Sequence, residues 1–136
     1  MDPEDKKLIQ SAKSVCKKAY APYSRFVVGC AVVSTSGKIY CAGNVENISF
    51  GLTICAERAA ISKAVSEEGP GFKIKSVVIY TPTDTPVTPC GACRQVLKEF
   101  GENFEILSAC KSDKIIKMKI EELLPASPNI KFDPVN

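Results

Sequence analysis

Histidine and tryptophan are both absent from this 136-residue chain. Without imidazole there is no Ser-His-Asp or Cys-His catalytic unit, no HExxH metalloprotease and no histidine metal ligand. Proton transfer near neutral pH must then fall to a carboxylate, Lys, Tyr or Cys of shifted pKa. A large excess of one charge is missing too: 18 Lys and Arg against 15 Asp and Glu leave +3. That is too little, and too scattered, for a nucleic-acid surface. Long apolar runs are lacking; a stretch such as Phe26 to Val33 falls far short of the ~20 residues that span a bilayer. Met1-Asp2-Pro3-Glu4-Asp5 is acidic and carries no apolar segment of the secretory kind. The expectation is a cytoplasmic protein without a membrane or nucleic-acid partner. Seven cysteines, an odd number, then read as free thiols or metal ligands in a reducing cytosol, not as a disulfide framework.

What is present suits one ordinary domain over 1–136: the chain is 45% apolar and 24% charged, and its length suffices for one core. Asp2-Pro3-Glu4-Asp5 has the form of a helix start, and Leu8, Ile9, Ala12, Val15, Cys16 and Ala19 continue at helical spacing to about Tyr20. Phe26 to Ser34 reads as a buried strand, turning at Ser36-Gly37 into a second strand, Lys38 to Ala42. Gly43 to Thr53 is irregular and polar. A helix is predicted from about Thr53 to Glu68, a β-branched strand over Ile74 to Tyr80, and a helix from about Cys90 to Phe100. Strands near Phe104–Ala109 and Ile115–Ile120, a helical turn at Glu121 to Leu124 and a loop-like tail over 126–136 complete the chain. Short hairpin connections demand antiparallel pairs while helical crossovers suit parallel ones. The fold class expected is α/β, a three-layer α-β-α sandwich around a mixed five-stranded sheet.

The chemistry lies in Cys55-Ala56-Glu57 and in Pro89-Cys90-Gly91-Ala92-Cys93. Zinc takes thiolate sulfur readily, and a catalytic zinc keeps three protein ligands with the fourth position open to water. Cys90 and Cys93 fall in the first turn of one predicted helix and Cys55 at the start of another, and helix N-termini in general favour anions such as thiolate ligands. Glu57 stands two residues past Cys55, placed to approach water without becoming a ligand. Zinc deaminases show this arrangement: a Cys or His, Glu two residues on, then Pro-Cys-x-x-Cys, with the Glu as acid and base. A lone CxxC also serves redox pairs and structural zinc; the combination is far more specific.

With these residues in view, the chain resembles the small, homotetrameric class of cytidine deaminase, with an all-cysteine zinc site. The likeness runs from Tyr20-Ala-Pro-Tyr-Ser-Arg-Phe26 through Gly43-Asn-Val-Glu-Asn47 and both zinc segments to Glu121-Glu-Leu-Leu-Pro125. It implies that Cys55, Cys90 and Cys93 hold Zn2+ and that Glu57 shuttles the proton. It makes Phe26 a face for the pyrimidine ring, Asn44 and Glu46 the ribose contacts, and the backbone at Ala56 a contact to the base. Where the family usually has Tyr, this chain has Phe50, at a position that reaches a neighbouring subunit's site; the ring stays and the hydroxyl goes. Arg58, beside the catalytic Glu, would offset the charge of three thiolates by bonding their sulfurs. The activity implied is deamination of cytidine and deoxycytidine in pyrimidine salvage, with a small nucleoside and the other subunits of a homotetramer as partners.

Plainer roles compete at several positions. Phe26 also suits a strand core, Asn44 and Glu46 an ordinary loop, Arg58 a helix salt bridge, and Cys90 with Cys93 a structural or redox pair. Arg94 and Gln95 belong to the motif and read as helix-packing groups or supports behind the ligands, not as substrate contacts. Cys16, Cys30, Cys41 and Cys110 read as small core residues. At the level of function, a deaminase of a modified cytosine nucleoside such as blasticidin S stands second, and a structural zinc protein or a polynucleotide editor behind it.

Overall fold

The computed structural model describes residues 1–128, so most of the tail expected over 126–136 lies outside the described residues. The first helix, α1 (Pro3–Cys16), starts where its chemistry says it should: Asp2 accepts the Glu4 N–H at 2.8 Å, and Pro3, Glu4 and Asp5 fill the first turn. Strands β1 (Gly29–Ser34) and β2 (Ile39–Gly43) form the expected antiparallel hairpin. A short 3-10 turn (Phe50–Leu52) leads to α2 (Ala56–Glu68), then come β3 (Ile74–Tyr80), α3 (Gly91–Lys98), β4 (Glu105–Ala109), β5 (Ile115–Lys119) and a single helical turn, α4 (Ile120–Leu123). The sheet order is β2-β1-β3-β4-β5. Only the β3–β4 pair, joined by α3, is parallel. Among the described residues no helix is long and apolar enough to cross a membrane.

Strand alternation assigns the two faces. Cys30, Val32, Val77, Ile79 and Ile106 point toward α2, α3 and α4, while Ala31, Val33, Val78, Tyr80 and Leu107 point toward Leu8, Ala12 and Cys16 of α1. The sheet is thus the middle of three layers, which is why all of β1 is buried. Gly29 permits the contact with α1, since a Cβ there would lie 1.9 Å from the Ala12 carbonyl oxygen.

Most boundaries lie within a residue or two of the sequence expectation; the larger differences fall at the end of α1 and the starts of α2 and β1, each because a distant partner takes the backbone. The first helix ends at Cys16, not near Tyr20, since Tyr20 bridges Asn44 and Glu46 (Tyr20 N–H to Asn44 O 2.9 Å, Glu46 N–H to Tyr20 O 2.8 Å). The second helix begins at Ala56, not Thr53, because Ile54 and Val45 exchange two backbone bonds of 2.9 Å. The first strand begins at Gly29, not Phe26: the Asn44 side chain accepts from Val28 N–H at 2.8 Å and donates to Phe26 O at 2.9 Å. Phe26 is half exposed rather than a strand core residue. Of the four cysteines assigned to packing, Cys16, Cys30 and Cys110 are buried and Cys41 is half-buried.

The far end of α2 is tied to the hairpin through Glu68. Its carboxylate accepts from Ser34, Ser36 and Tyr40 hydroxyls at 2.8, 2.8 and 2.7 Å. The Tyr40 hydroxyl, with those of the serines, holds the Glu68 carboxyl below its ordinary range. Burial and the bond to Glu68 push Tyr40 itself up to about 12. A tyrosine whose folded pKa is raised contributes stability below its unfolded pKa and loses it as pH rises through the folded one. Urea unfolding should therefore show stability falling between the ordinary tyrosine range and about 12, and Tyr40→Phe should flatten that limb. An equally steep limb in the variant would assign it to other groups.

Candidate metal centre and active site

The amino ends of α2 and α3 converge on one point. Cys55 is the N-cap of α2, Cys90 the N-cap of α3, and Cys93 sits in the first turn of α3. Neither N-cap side chain forms a capping hydrogen bond, which leaves both thiols able to face inward. The three Sγ atoms all lie within 4.8 Å of one another. Tetrahedral zinc with Zn–S bonds of ~2.3 Å would set the sulfurs ~3.8 Å apart, so a small contraction on binding suffices. The donor set, three thiols with no fourth protein ligand among the described residues, is that of a site with an open position.

Electrostatics suit a cation there. Burial is the largest influence on Cys90 and opposes ionisation, but the Cys93 N–H and the neighbouring thiols bring it below the ordinary thiol value. Burial, with Glu57 and the other thiols, pushes Cys93 well up. Three thiols this close cannot all ionise unaided, whereas a divalent ion removes the conflict. Arg58 donates from Nη2 to Cys55 Sγ at 3.5 Å and to Thr53 O at 3.4 Å. The Cys55 sulfur, with Cys93 behind it, raises the guanidinium pKa. No salt bridge to Arg58 exists among the described residues.

A cavity of about 390 Å³ opens onto the thiols, within the size range of small-molecule sites. Its inner end carries buried Ala56, Glu57, Ile79 and Thr81, and its mouth exposed Ser24 and Phe26 with half-buried Glu46. Burial pushes the Glu57 carboxyl above its usual range, against bonds from its own N–H and the Cys93 thiol and the charge of Arg58. Among the described residues, no Lys or Arg lines the cavity.

The structure thus gathers Cys55, Cys90, Glu57, Ala56, Phe26, Asn44 and Glu46 around one space, with Cys93 behind it and Arg58 against Cys55. Asn44 and Glu46 have a second task that their sequence position does not reveal. Asn44 holds the Phe26–Val28 backbone, and Glu46 accepts from the Tyr23 and Ser24 N–H groups at 3.0 and 3.1 Å and from the Ser24 hydroxyl. Phe50 does not line this chain's cavity; its ring is exposed, 5.8 Å from that of Tyr23. The walls that sequence reasoning missed, chiefly Ile79, Thr81 and Val87, follow the carboxyl end of β3. Their one sequence signal was that β3 starts a parallel crossover, and ligands gather at the carboxyl ends of such strands.

Comparison with known proteins agrees with this geometry. The family model described as the cytidine and deoxycytidylate deaminase zinc-binding region matches residues 2–108. The chain is 45% identical over 122 residues (90% of this chain, 82% of the relative) to a probable cytidine deaminase of Dictyostelium discoideum. It is 44% identical over 129 residues (93% and 91%) to a cytidine deaminase of Sporosarcina psychrophila. The crystal structure of cytidine deaminase from Burkholderia pseudomallei matches with a TM-score of 0.83 and 39% identity, covering 93% of this chain and 99% of that one. A blasticidin-S deaminase of Bacillus cereus is more distant, 29% identical over 128 residues.

Proposed function

The chain belongs to the cytidine and deoxycytidylate deaminase family, and we propose that it hydrolyses cytidine and deoxycytidine to the corresponding uridines with release of ammonia. The observation that carries this reading is a buried carboxyl, Glu57, in a nucleoside-sized cavity beside three convergent thiols. Cys55, Cys90 and Cys93 would hold one zinc, which when bound supplies a Lewis acid that makes water acidic near neutral pH. Arg58 offsets the thiolate charge that would otherwise blunt that acidity. Glu57 takes a proton from water as its oxygen joins C4 of the cytosine ring, and passes the proton to N3. It then carries the second water proton to the C4 amine; the C–N bond breaks, ammonia leaves and the C4 carbonyl forms. Its raised pKa suits a group that both accepts and returns protons.

Phe26 offers its ring to the base, and the Ala56 backbone lies beside it. Asn44 and Glu46 face the sugar, already fixed by the bonds they make to the 23–28 segment. A carboxylate at the sugar end and the lack of any lining cation favour a nucleoside over a 5′-phosphorylated nucleotide. All seven cysteines are free thiols, which suits a reducing cytoplasm and a role in pyrimidine salvage. The reading extends to one domain over the whole chain and to a homotetramer. Metal analysis and ammonia release measured on the same preparation test it: one zinc per chain, with cytidine and deoxycytidine turned over and cytidylate left intact. Metal-replete protein inert toward both nucleosides would overturn it.

A further inference from the structure

The guanidinium of Arg94 makes three bonds for which the chemistry above has no use. Nε donates to Pro89 O at 2.7 Å, Nη2 to Thr88 Oγ1 at 3.0 Å and Nη1 to Leu123 O at 2.9 Å. All three acceptors are neutral, and Arg94 has no salt bridge among the described residues. We infer that Arg94 is a positioning residue, whose planar fork fixes the peptide before Cys90 and so aims the Cys90 thiol at Cys55 and Cys93. The inference rests on the reading of Cys90 as a metal ligand.

The three thiols differ in what holds them. Cys93 is fully buried on α3, and Cys55 is half-buried against Arg58. Cys90 is exposed and its side chain forms no capping hydrogen bond, so beyond the pull of the Cys93 N–H and the neighbouring thiols little orients it. Its direction therefore depends chiefly on its backbone. Peptide planarity ties the Cys90 nitrogen to the Pro89 carbonyl, and the proline ring fixes φ on the other side of that unit. The shortest Arg94 bond pins this carbonyl. The second bond pins the residue before it, and the third anchors the assembly to the last residue of α4, whose Ile120 and Leu123 are in the core. A lysine keeps the charge but has one nitrogen, and cannot reach three oxygens in a plane.

Arg94→Lys, Thr88→Val and the parent should be compared as zinc-loaded proteins, well below their melting temperatures. The first readout is the rate of zinc transfer to excess chelator. The second is the sulfur-to-metal charge-transfer absorption of the cobalt-substituted proteins. Losing a group that orients a ligand typically costs about 10–100-fold in metal affinity, so Arg94→Lys should release zinc faster by that order and show altered cobalt bands. Thr88→Val, which loses one bond of the three, should fall between it and the parent. Release rates and cobalt spectra indistinguishable from the parent, whatever happens to the melting temperature, would overturn the inference. Should Arg94→Lys not fold, parental behaviour of Thr88→Val does the same. A parent that binds no zinc overturns the metal reading first and this inference with it, so the two failures are told apart.

Discussion

Glu57→Gln should keep the fold and the zinc while losing turnover by about 10²-fold or more, the usual contribution of a positioned acid and base. The amide matches the carboxyl in shape, so the buried position in the first turn of α2 stays filled. What it cannot do is take a proton from water and give it back at N3 and at the leaving amine. Burial raises the carboxyl's pKa, while the amide has no charged form to desolvate, so the change should not unfold the chain. The loss should fall on kcat, because the proton is in flight only in the transition state. Zinc content, melting temperature and single-turnover rate on cytidine check it together. A metal-replete Glu57→Gln protein within a few-fold of the parent would remove Glu57 from the mechanism. Poor activity with lost zinc would instead make Glu57 a support of the metal site.

The sequence made the thiols and the carboxyl legible because the chemistry compresses them into two short segments, Cys55-Ala-Glu and Pro89-Cys-Gly-Ala-Cys93. Helix N-termini are encoded locally, so two N-terminal cysteine segments already suggest two helices aimed at one ion. The β-branched run Ile74 to Tyr80 was legible for the same reason and has the predicted bounds. What stayed hidden depends on partners far along the chain. The ends of α1 and α2 are set by backbone bonds among Tyr20, Asn44, Val45, Glu46 and Ile54, which local periodicity does not see. Asn44 was legible as a polar loop residue, and through the resemblance as a proposed sugar contact, but not as the brace of Phe26 and Val28. That second role changes how it should be tested: Asn44→Ala would loosen the wall carrying Phe26 as well as remove the proposed sugar contact. Arg94 read as packing or as a support behind the ligands, but nothing in its neighbours names Leu123 as an acceptor.

Mixing Phe50→Ala chains with Glu57→Gln chains should restore activity that neither variant has alone. Phe50 and Leu52 of the 3-10 turn, with Ile48 just ahead of it, are 73%, 67% and 78% exposed, an apolar rim near the cavity that the described residues leave uncovered. Such a rim is costly in water and suits burial against another subunit. Proton transfer at Glu57 also benefits from a water-excluding wall, and the exposed Phe26 and Ser24 show that the chain does not close its own mouth. If Phe50 closes a neighbour's site, Phe50→Ala removes an aromatic anchor, worth about 2 kcal/mol or some 30-fold in kcat/KM at a buried contact. In an equal mixture with free exchange, roughly a quarter of the sites then pair an intact Glu57 with a neighbour's intact Phe50 in a symmetric assembly. Specific activity should rise toward that fraction of the parent's, on the timescale of subunit exchange followed with a mass-tagged chain. If Phe50 serves only its own site, no mixed assembly holds a better site than the Phe50→Ala parent, and mixing adds nothing. Exchange without recovery, or full activity in a monomer at assay concentration, would place the missing wall elsewhere.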